Sequence, residues 1–243
     1  CDNLTVARGK VVQSSGHSSL RVSGSFVNAG TLRSPGGGWM LTFNPLGNVT
    51  NHGRMDGIHI AVGTGTRSLR WSGRGSVQAT SFEVQGEGRL AFTDSLRLNG
   101  NVNITRNATL EIASGSLLDV RGSFVGEGRV VNNGRLRTKV ALADNRRIDL
   151  PAAFGAQIFP TTVGGADSLE VTQHGNQTYA GTGQGTLRQW WSFRSTPPLR
   201  NHYVNLSYPQ SAAAGLDEHR LMAFAGTAEV GLKLISNPIN TTR

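Results

Sequence analysis

Apolar and polar residues alternate in short segments along roughly the first 140 residues of the chain. The recurring unit is apolar-x-apolar-x-Gly, and it occurs at Leu20–Gly24, Leu69–Gly73, Phe82–Gly86, Leu96–Gly100 and Leu118–Gly122. Alternation with period two directs every second side chain to one face, as in a β-strand. Because such short strands cannot bury an apolar face alone, they must stack in coils about 4.8 Å apart. We therefore predict an all-β fold that begins with a parallel β-helix, or β-solenoid.

The glycine that ends each unit is interpreted as a corner of the coil. Gly24, Gly73, Gly86, Gly100 and Gly122 hold this position. Glycine adopts positive φ at little steric cost, which suits a sharp change of direction after a strand. The spacing between units is irregular, which agrees with coils whose loops differ in length.

A second repeated pattern reads apolar-x-Asn-x-Gly-x-apolar. Its asparagines are Asn28, Asn51 and Asn132. An Asn/Gly pair between two short strands predicts a turn. Two interpretations remain open, because the asparagines are either simple turn residues or rungs of a ladder between neighbouring coils.

The repeat ends after Thr138, and the composition then changes. Prolines and aromatic residues become more frequent after Phe154, and longer strand candidates appear at 168–172, 187–193, 202–208, 220–224 and 230–235, with a helical turn at 211–217. Strands at this spacing favour an antiparallel β-sandwich. We predict a solenoid domain at 1–139, a connector at 140–158 and a sandwich at 159–243 that lacks its last strand.

Composition and charge refine this prediction. Aromatic residues make up 7% of the chain, so we expect a core of Val, Leu and Ala rather than large rings. The formal net charge is +9, and arginine supplies most of it. The arginines occur about one per strand or turn, which favours outward-facing strand positions over a nucleic-acid site. A face for a polysaccharide or another polyanion is the alternative.

Cys1 is the only cysteine, so no intrachain disulfide forms. It is either the lipid-bearing cysteine of a mature bacterial lipoprotein or the first residue of a fragment. We favour the fragment, because Leu4–Val6 already has the pattern of a strand. No apolar run of about 18 residues occurs, so we expect no membrane span.

Residues that could perform chemistry do not form a recognisable constellation. No two acidic residues of the repeat region lie at matching positions of adjacent motifs, and the six histidines are dispersed. We therefore expect no enzyme activity, no cofactor and no metal. Possible glycan or partner contacts are Trp190, Trp191 and Tyr203. The two tryptophans form either a sugar-stacking platform or one core and one edge residue of the sandwich.

The N-terminal sequence Asn3–Leu32 resembles repeats of large secreted surface proteins of Bacteroidota, many exported by type IX secretion. The C-terminal segments Phe159–Pro160, Arg188–Phe193, Val204–Tyr208 and Gly215–Leu221 are similar to the β-sandwich module that often follows such a solenoid. This resemblance implies an extracellular or cell-surface, adhesin-like structural role. The implied partners are other copies, or other regions, of the same surface protein. The alternative is a carbohydrate-binding or lyase-like β-helix.

Overall fold

The computed structural model describes residues 1–44, 47–177, 188–197, 199, 201–216, 223–227 and 231–236. It contains a parallel β-solenoid of six full coils, followed by two strands of a seventh. Paired residues of neighbouring coils are 18 to 23 positions apart. The predicted parallel solenoid is therefore confirmed.

Each full coil contributes one strand to each of three sheets, A, B and C. Sheet A contains β1 (Leu4–Val6), β4 (Phe26–Asn28), β7 (Val49–Asn51), β10 (Ser68–Ser72), β13 (Arg89–Phe92), β16 (Thr109–Ile112) and β19 (Arg129–Asn132). The parallel part of sheet B contains β2 (Val11–Gln13), β5 (Thr31–Arg33), β8 (Arg54–Asp56), β11 (Ser76–Gln78), β14 (Leu96–Leu98), β17 (Leu117–Val120) and β20 (Arg135–Ala141). Sheet C contains β3 (Ser18–Val22), β6 (Trp39–Phe43), β9 (Ile58–Gly63), β12 (Ser81–Gln85), β15 (Asn101–Ile104) and β18 (Phe124–Gly126).

The apolar-x-apolar-x-Gly unit marks a strand and its corner, and it does not mark a coil. Leu20–Gly24 and Phe82–Gly86 contain strands of sheet C, Leu69–Gly73 a strand of sheet A, and Leu96–Gly100 and Leu118–Gly122 strands of sheet B. The unit recurs on every sheet because alternate side chains of each strand point into the core. The coil period is thus longer than the motif spacing.

The core of the solenoid is continuous from the first coil to the last, and aromatic rings fill its centre. Phe26, Phe43, Trp71, Phe82 and Phe92 are almost completely buried. Their ring centroids lie 4.8 to 6.1 Å apart in edge-on or tilted contacts, the arrangement that aromatic pairs prefer. The expectation of a core without large rings was wrong. Few aromatic residues are present, but the coil interior concentrates them.

Among the described residues, the chain after β20 extends sheet B and forms two small antiparallel sheets. Its elements are β21 (Ile148–Asp149), a 3-10 turn (Ala152–Phe154), β22 (Ala156–Thr162), β23 (Ser168–Gly175), β24 (Gln189–Ser195), β25 (Asn201–Leu206), a second 3-10 turn (Gln210–Ala213), β26 (Ala223–Thr227) and β27 (Gly231–Ser236). Strand β23 pairs antiparallel with β20, and β24 pairs with β23, so both extend sheet B.

Two small antiparallel sheets complete the described chain. Sheet D has the order β21-β22-β25, and sheet E consists of β26 and β27. Phe154 and Ile158 are fully buried and join the solenoid core cluster. The predicted sandwich is therefore not confirmed, because β23 and β24 pair with the last coil rather than with sheet D. The predicted turn at 211–217 overlaps the second 3-10 turn.

Candidate functional site

The five predicted corner glycines each follow a strand, but they are needed for two different reasons. Gly73 and Gly86 have φ of +94° and +99°, the backbone conformation that side chains disfavour. At Gly24, Gly100 and Gly122 φ is not positive. A Cβ there would collide with a backbone carbonyl of the preceding coil, as it also would at Gly73, and for Gly122 that carbonyl belongs to Gly100. Coil stacking itself therefore requires these three glycines.

Asn28 and Asn51 form the ladder that the sequence left open. Both lie at the corner between sheets A and B, and both side chains are fully buried. Asn28 Nδ2 donates to Asn51 Oδ1 at 2.8 Å, and Asn28 Oδ1 accepts the Gly30 amide at 3.1 Å. Asn132 holds the same corner in the last coil, where its Nδ2 donates to Gln173 Oε1 at 2.9 Å. The Asn28–Asn51 hydrogen bond thus joins two neighbouring coils, and Asn132 joins the last coil to β23.

The three predicted contact aromatics do not form one platform. Trp191 points inward from β24, and its Nε1 donates to the Phe154 carbonyl at 2.7 Å. Trp190 lies on the opposite face of the strand, stacked on His174 with ring centroids 3.4 Å apart and an interplanar angle of 7°. Tyr203 belongs to sheet D and is 70% exposed.

The His174 imidazole is shielded by this stacked arrangement on the outer face of sheet B. Burial, and then the positive charge of Arg135, lower the pKa of His174 to about 4. The ring is therefore neutral near pH 7 and packs on Trp190 as an uncharged aromatic surface. Ser192 Oγ lies 3.3 Å from His174 Nε2.

A charge cluster on sheet B links the last coils to β23. Asp119 is the centre of the cluster, and its side chain is 2% exposed. Arg97 Nε, Arg121 Nη2 and Arg137 Nη2 donate to Asp119 Oδ2 at 2.8 to 2.9 Å. Arg121 Nη2 also lies 3.3 Å from Glu170 Oε2 on β23. Burial raises the pKa of Asp119, but the three guanidinium groups outweigh it and hold the pKa below its ordinary value.

We call these five residues the Asp119 cluster. Its members form no local sequence motif, although Arg97 and Asp119 are 22 residues apart and carry opposite charges. This spacing is one coil, so the pair becomes visible once the coil period is known. The cluster fills the outer face of the sheet with paired charges. That arrangement stabilises the junction and leaves Asp119 inaccessible to a substrate.

A cleft of about 670 Å3 lies between the last coil and the C-terminal elements. The edges of β18 and β19 border one side, and the 3-10 turns and β24 border the other. Its polar residues are Arg129, Asn132, Asn133, Gln173, Asn176, Arg188, Gln189, Ser207, Tyr208 and Ser211. The described lining carries the hydroxyl groups of Ser207, Tyr208 and Ser211, and it contains no carboxylate, histidine or cysteine.

A second, shallower groove lies on the outer face of sheet D and has a volume of about 520 Å3. It is lined by Asn145, Arg146, Arg147, Phe159, Pro160, Thr161, Tyr203 and Asn205. We call it the sheet D groove. Of the predicted contact aromatics, only Tyr203 is part of it. Sequence analysis did not select its neighbours, because the antiparallel pairing of β22 with β25 brings them together.

Within the described ranges, no three His, Cys, Asp or Glu side chains are placed to hold a metal ion. No described helix is long and apolar enough to cross a membrane. Comparisons with protein-family models, with curated proteins and with solved structures found no match to this chain.

Proposed function

We propose that this chain is a structural and adhesive module of an extracellular or cell-surface bacterial protein, acting without catalysis. In this role the solenoid is a stiff spacer that presents its C-terminal elements to other copies, to other regions of the same protein, or to a surface. Six steps between coils of about 4.8 Å correspond to a rod of about 29 Å.

The observation that carries this proposal is that polar side chains on the coils bond mainly to the neighbouring coil. Examples are the contacts Arg33–Gln13, Thr50–Ser72, His59–Ser81, Asn103–Glu83 and Asn133–Glu111, with distances of 2.7 to 3.2 Å. Each contact joins residues 20 to 22 positions apart, which is one coil. Polar groups that bond in this way stiffen the stack of coils, and they do not converge on a single binding site.

The proposal predicts that whole coils are interchangeable. Removal of residues 68–88 deletes one coil and brings β13 beside β7, with Phe92 opposite Val49 through their shared partner Trp71. We expect this variant to fold, to reach the cell surface and to support attachment. Removal of residues 68–77, about half a coil, is the matched control and is expected to prevent folding, because the following strands then meet the wrong sheets.

The measurements are circular dichroism, protease accessibility on intact producing cells, and attachment of those cells to a surface. A folded one-coil deletion that reaches the surface but does not support attachment would indicate a site within that coil and contradict a spacer role. Protection of the intact protein inside cells would contradict the surface location. Unchanged attachment after complete removal of the protein would contradict an adhesive role.

A further inference from the structure

The sheet D groove combines an open aromatic ring with fixed polar groups. Phe159 on β22 is directly opposite Tyr203 on β25, so both side chains lie on the same face of the sheet. Asn205, two residues after Tyr203, lies on that face as well, opposite Gln157. A strand pair therefore presents two rings and two amides side by side.

The two rings differ in how much of their surface is free. The Arg147 guanidinium carbon lies 5.5 Å from the centre of the Phe159 ring and covers one of its faces. Arg147 is itself held by Asp149, with Nε 2.5 Å from Oδ1. Tyr203 is 70% exposed, the highest value among the exposed large hydrophobic side chains of the described residues. Tyr203 is thus the ring available for stacking.

The positively charged side chain of Arg146 also lines the groove. Arg146 is exposed and forms no ion pair with any described residue, in contrast to Arg147. The turn that carries Arg146 is tied to β22, because the Asn145 amide donates to the Pro160 carbonyl at 3.0 Å. Asn145 has φ of +53°, a conformation that asparagine adopts more readily than most residues. This backbone hydrogen bond places the Cα of Arg146 beside the groove.

We infer that the sheet D groove binds a polysaccharide that contains uronic acids. The apolar face of a pyranose ring stacks on Tyr203, and the Asn205 amide hydrogen-bonds its hydroxyl groups. Arg146 pairs with the sugar carboxylate. A groove of about 520 Å3 is within the usual range of small-ligand sites.

Charge complementarity favours an acidic glycan over a neutral one. Arg146 forms no ion pair with a described residue and attracts an anion, and the chain as a whole has a formal charge of +9. Arg147 does not add to this attraction, because Asp149 already neutralises it. A site for neutral sugars would need the ring and the Asn205 amide but not the Arg146 guanidinium.

The test uses oligogalacturonate and its methyl ester, which has the same backbone without the charges. Binding of each to the whole chain is measured by isothermal titration calorimetry at two salt concentrations. We expect the acidic oligomer to bind at least fivefold more tightly than the ester, and the preference to shrink at high salt. Tyr203→Ala is expected to weaken binding of both at least tenfold. Arg146→Gln is expected to remove the preference for the acidic oligomer.

Arg8→Gln is the matched control, because it makes the same charge change on an exposed residue in the first coil. It should bind both oligomers as the unaltered chain does. Wild-type affinity in Tyr203→Ala, equal binding of acid and ester, or no binding of either would overturn the inference. Because the coil-deletion experiment does not alter sheet D, its outcome distinguishes failure of the spacer proposal from failure of this one.

Discussion

The substitution Asp119→Asn tests how strongly the last coils hold β23. It removes the charge that three arginines share and keeps one acceptor oxygen. Arg97 is 58% exposed, so its pair contributes at most about 1 kcal/mol. Arg121 and Arg137 are 22% and 24% exposed, and a hydrogen bond to a charged group at such a site contributes about 1.5 kcal/mol. We expect a loss of about 3 kcal/mol, at the low end for a broken buried pair.

The assay is thermal and urea unfolding, with Asp56→Asn as the control. Asp56 lies on the same sheet but is 37% exposed and pairs with Arg54 alone among the described residues. Its loss should cost less than about 1 kcal/mol. For a chain of this length, 3 kcal/mol lowers the melting temperature by about 6–12 °C. Hydrogen exchange of residues 168–175 shows whether β23 loses protection first.

Lowering the pH should reduce the contribution of the Asp119 cluster to the free energy of unfolding. Because the folded-state pKa of Asp119 lies below its ordinary value of about 3.9, the stabilisation is complete above that pH. It disappears as the pH falls through the lowered folded-state pKa. The difference in unfolding free energy between wild type and Asp119→Asn should therefore shrink in acid. If Asp119→Asn unfolds within 0.5 kcal/mol of Asp56→Asn at neutral pH (a difference of about the usual surface-mutation scatter), the cluster does not hold the junction.

Further predictions concern the corners and the outer face of sheet B. Gly122→Ala should cost about 1–3 kcal/mol, because a methyl group there meets a carbonyl of the coil below, whereas Gly16→Ala, with open space around it, should leave the melting temperature nearly unchanged. Asn51→Ala removes the 2.8 Å acceptor of the buried Asn28 amide, which then has only the Arg54 carbonyl at 3.4 Å, and should cost about 1 kcal/mol in urea unfolding. A cost below about 0.5 kcal/mol would contradict a stabilising ladder. The pKa of His174 is about 4 in the folded state and about 6.5 when unfolded, so the unfolded chain binds more protons between these values. Stability should therefore fall as the pH drops from about 6.5 to about 4, and His174→Gln should remove that component. An NMR titration of His174 with a midpoint near 6.5 would show the expectation to be wrong.

The parallel solenoid could be predicted because period-two alternation and corner glycines follow directly from burial and turn geometry. The coil period could not be taken from the same motif, because Leu20–Gly24 and Leu118–Gly122 serve different sheets. Alternation in β23 and β24 also predicts strands correctly. It does not say which strand they pair with, so their pairing with β20 could not be predicted.

The candidate site was less accessible to sequence reasoning. Trp190 and Trp191 are adjacent, and adjacent residues of a strand face opposite sides, so alternation alone argues against a shared platform. Tyr203 was selected, but Arg146 and Phe159 join it only through the pairing of β22 with β25 and the turn before β21. Contacts of this kind depend on tertiary structure and leave no local pattern.

The buried pair of Asn28 and Asn51 has a consequence for how the chain finds its fold. Every sheet uses the same strand-and-glycine unit. A coil whose strands paired with the wrong sheet would therefore still bury apolar side chains. Such a shift in pairing would separate the two side-chain amides and leave them without this hydrogen bond in an apolar interior, at a cost of about 1–3 kcal/mol each. The pair thus favours the native pairing of coils over a shifted one, because only the native pairing keeps this buried hydrogen bond.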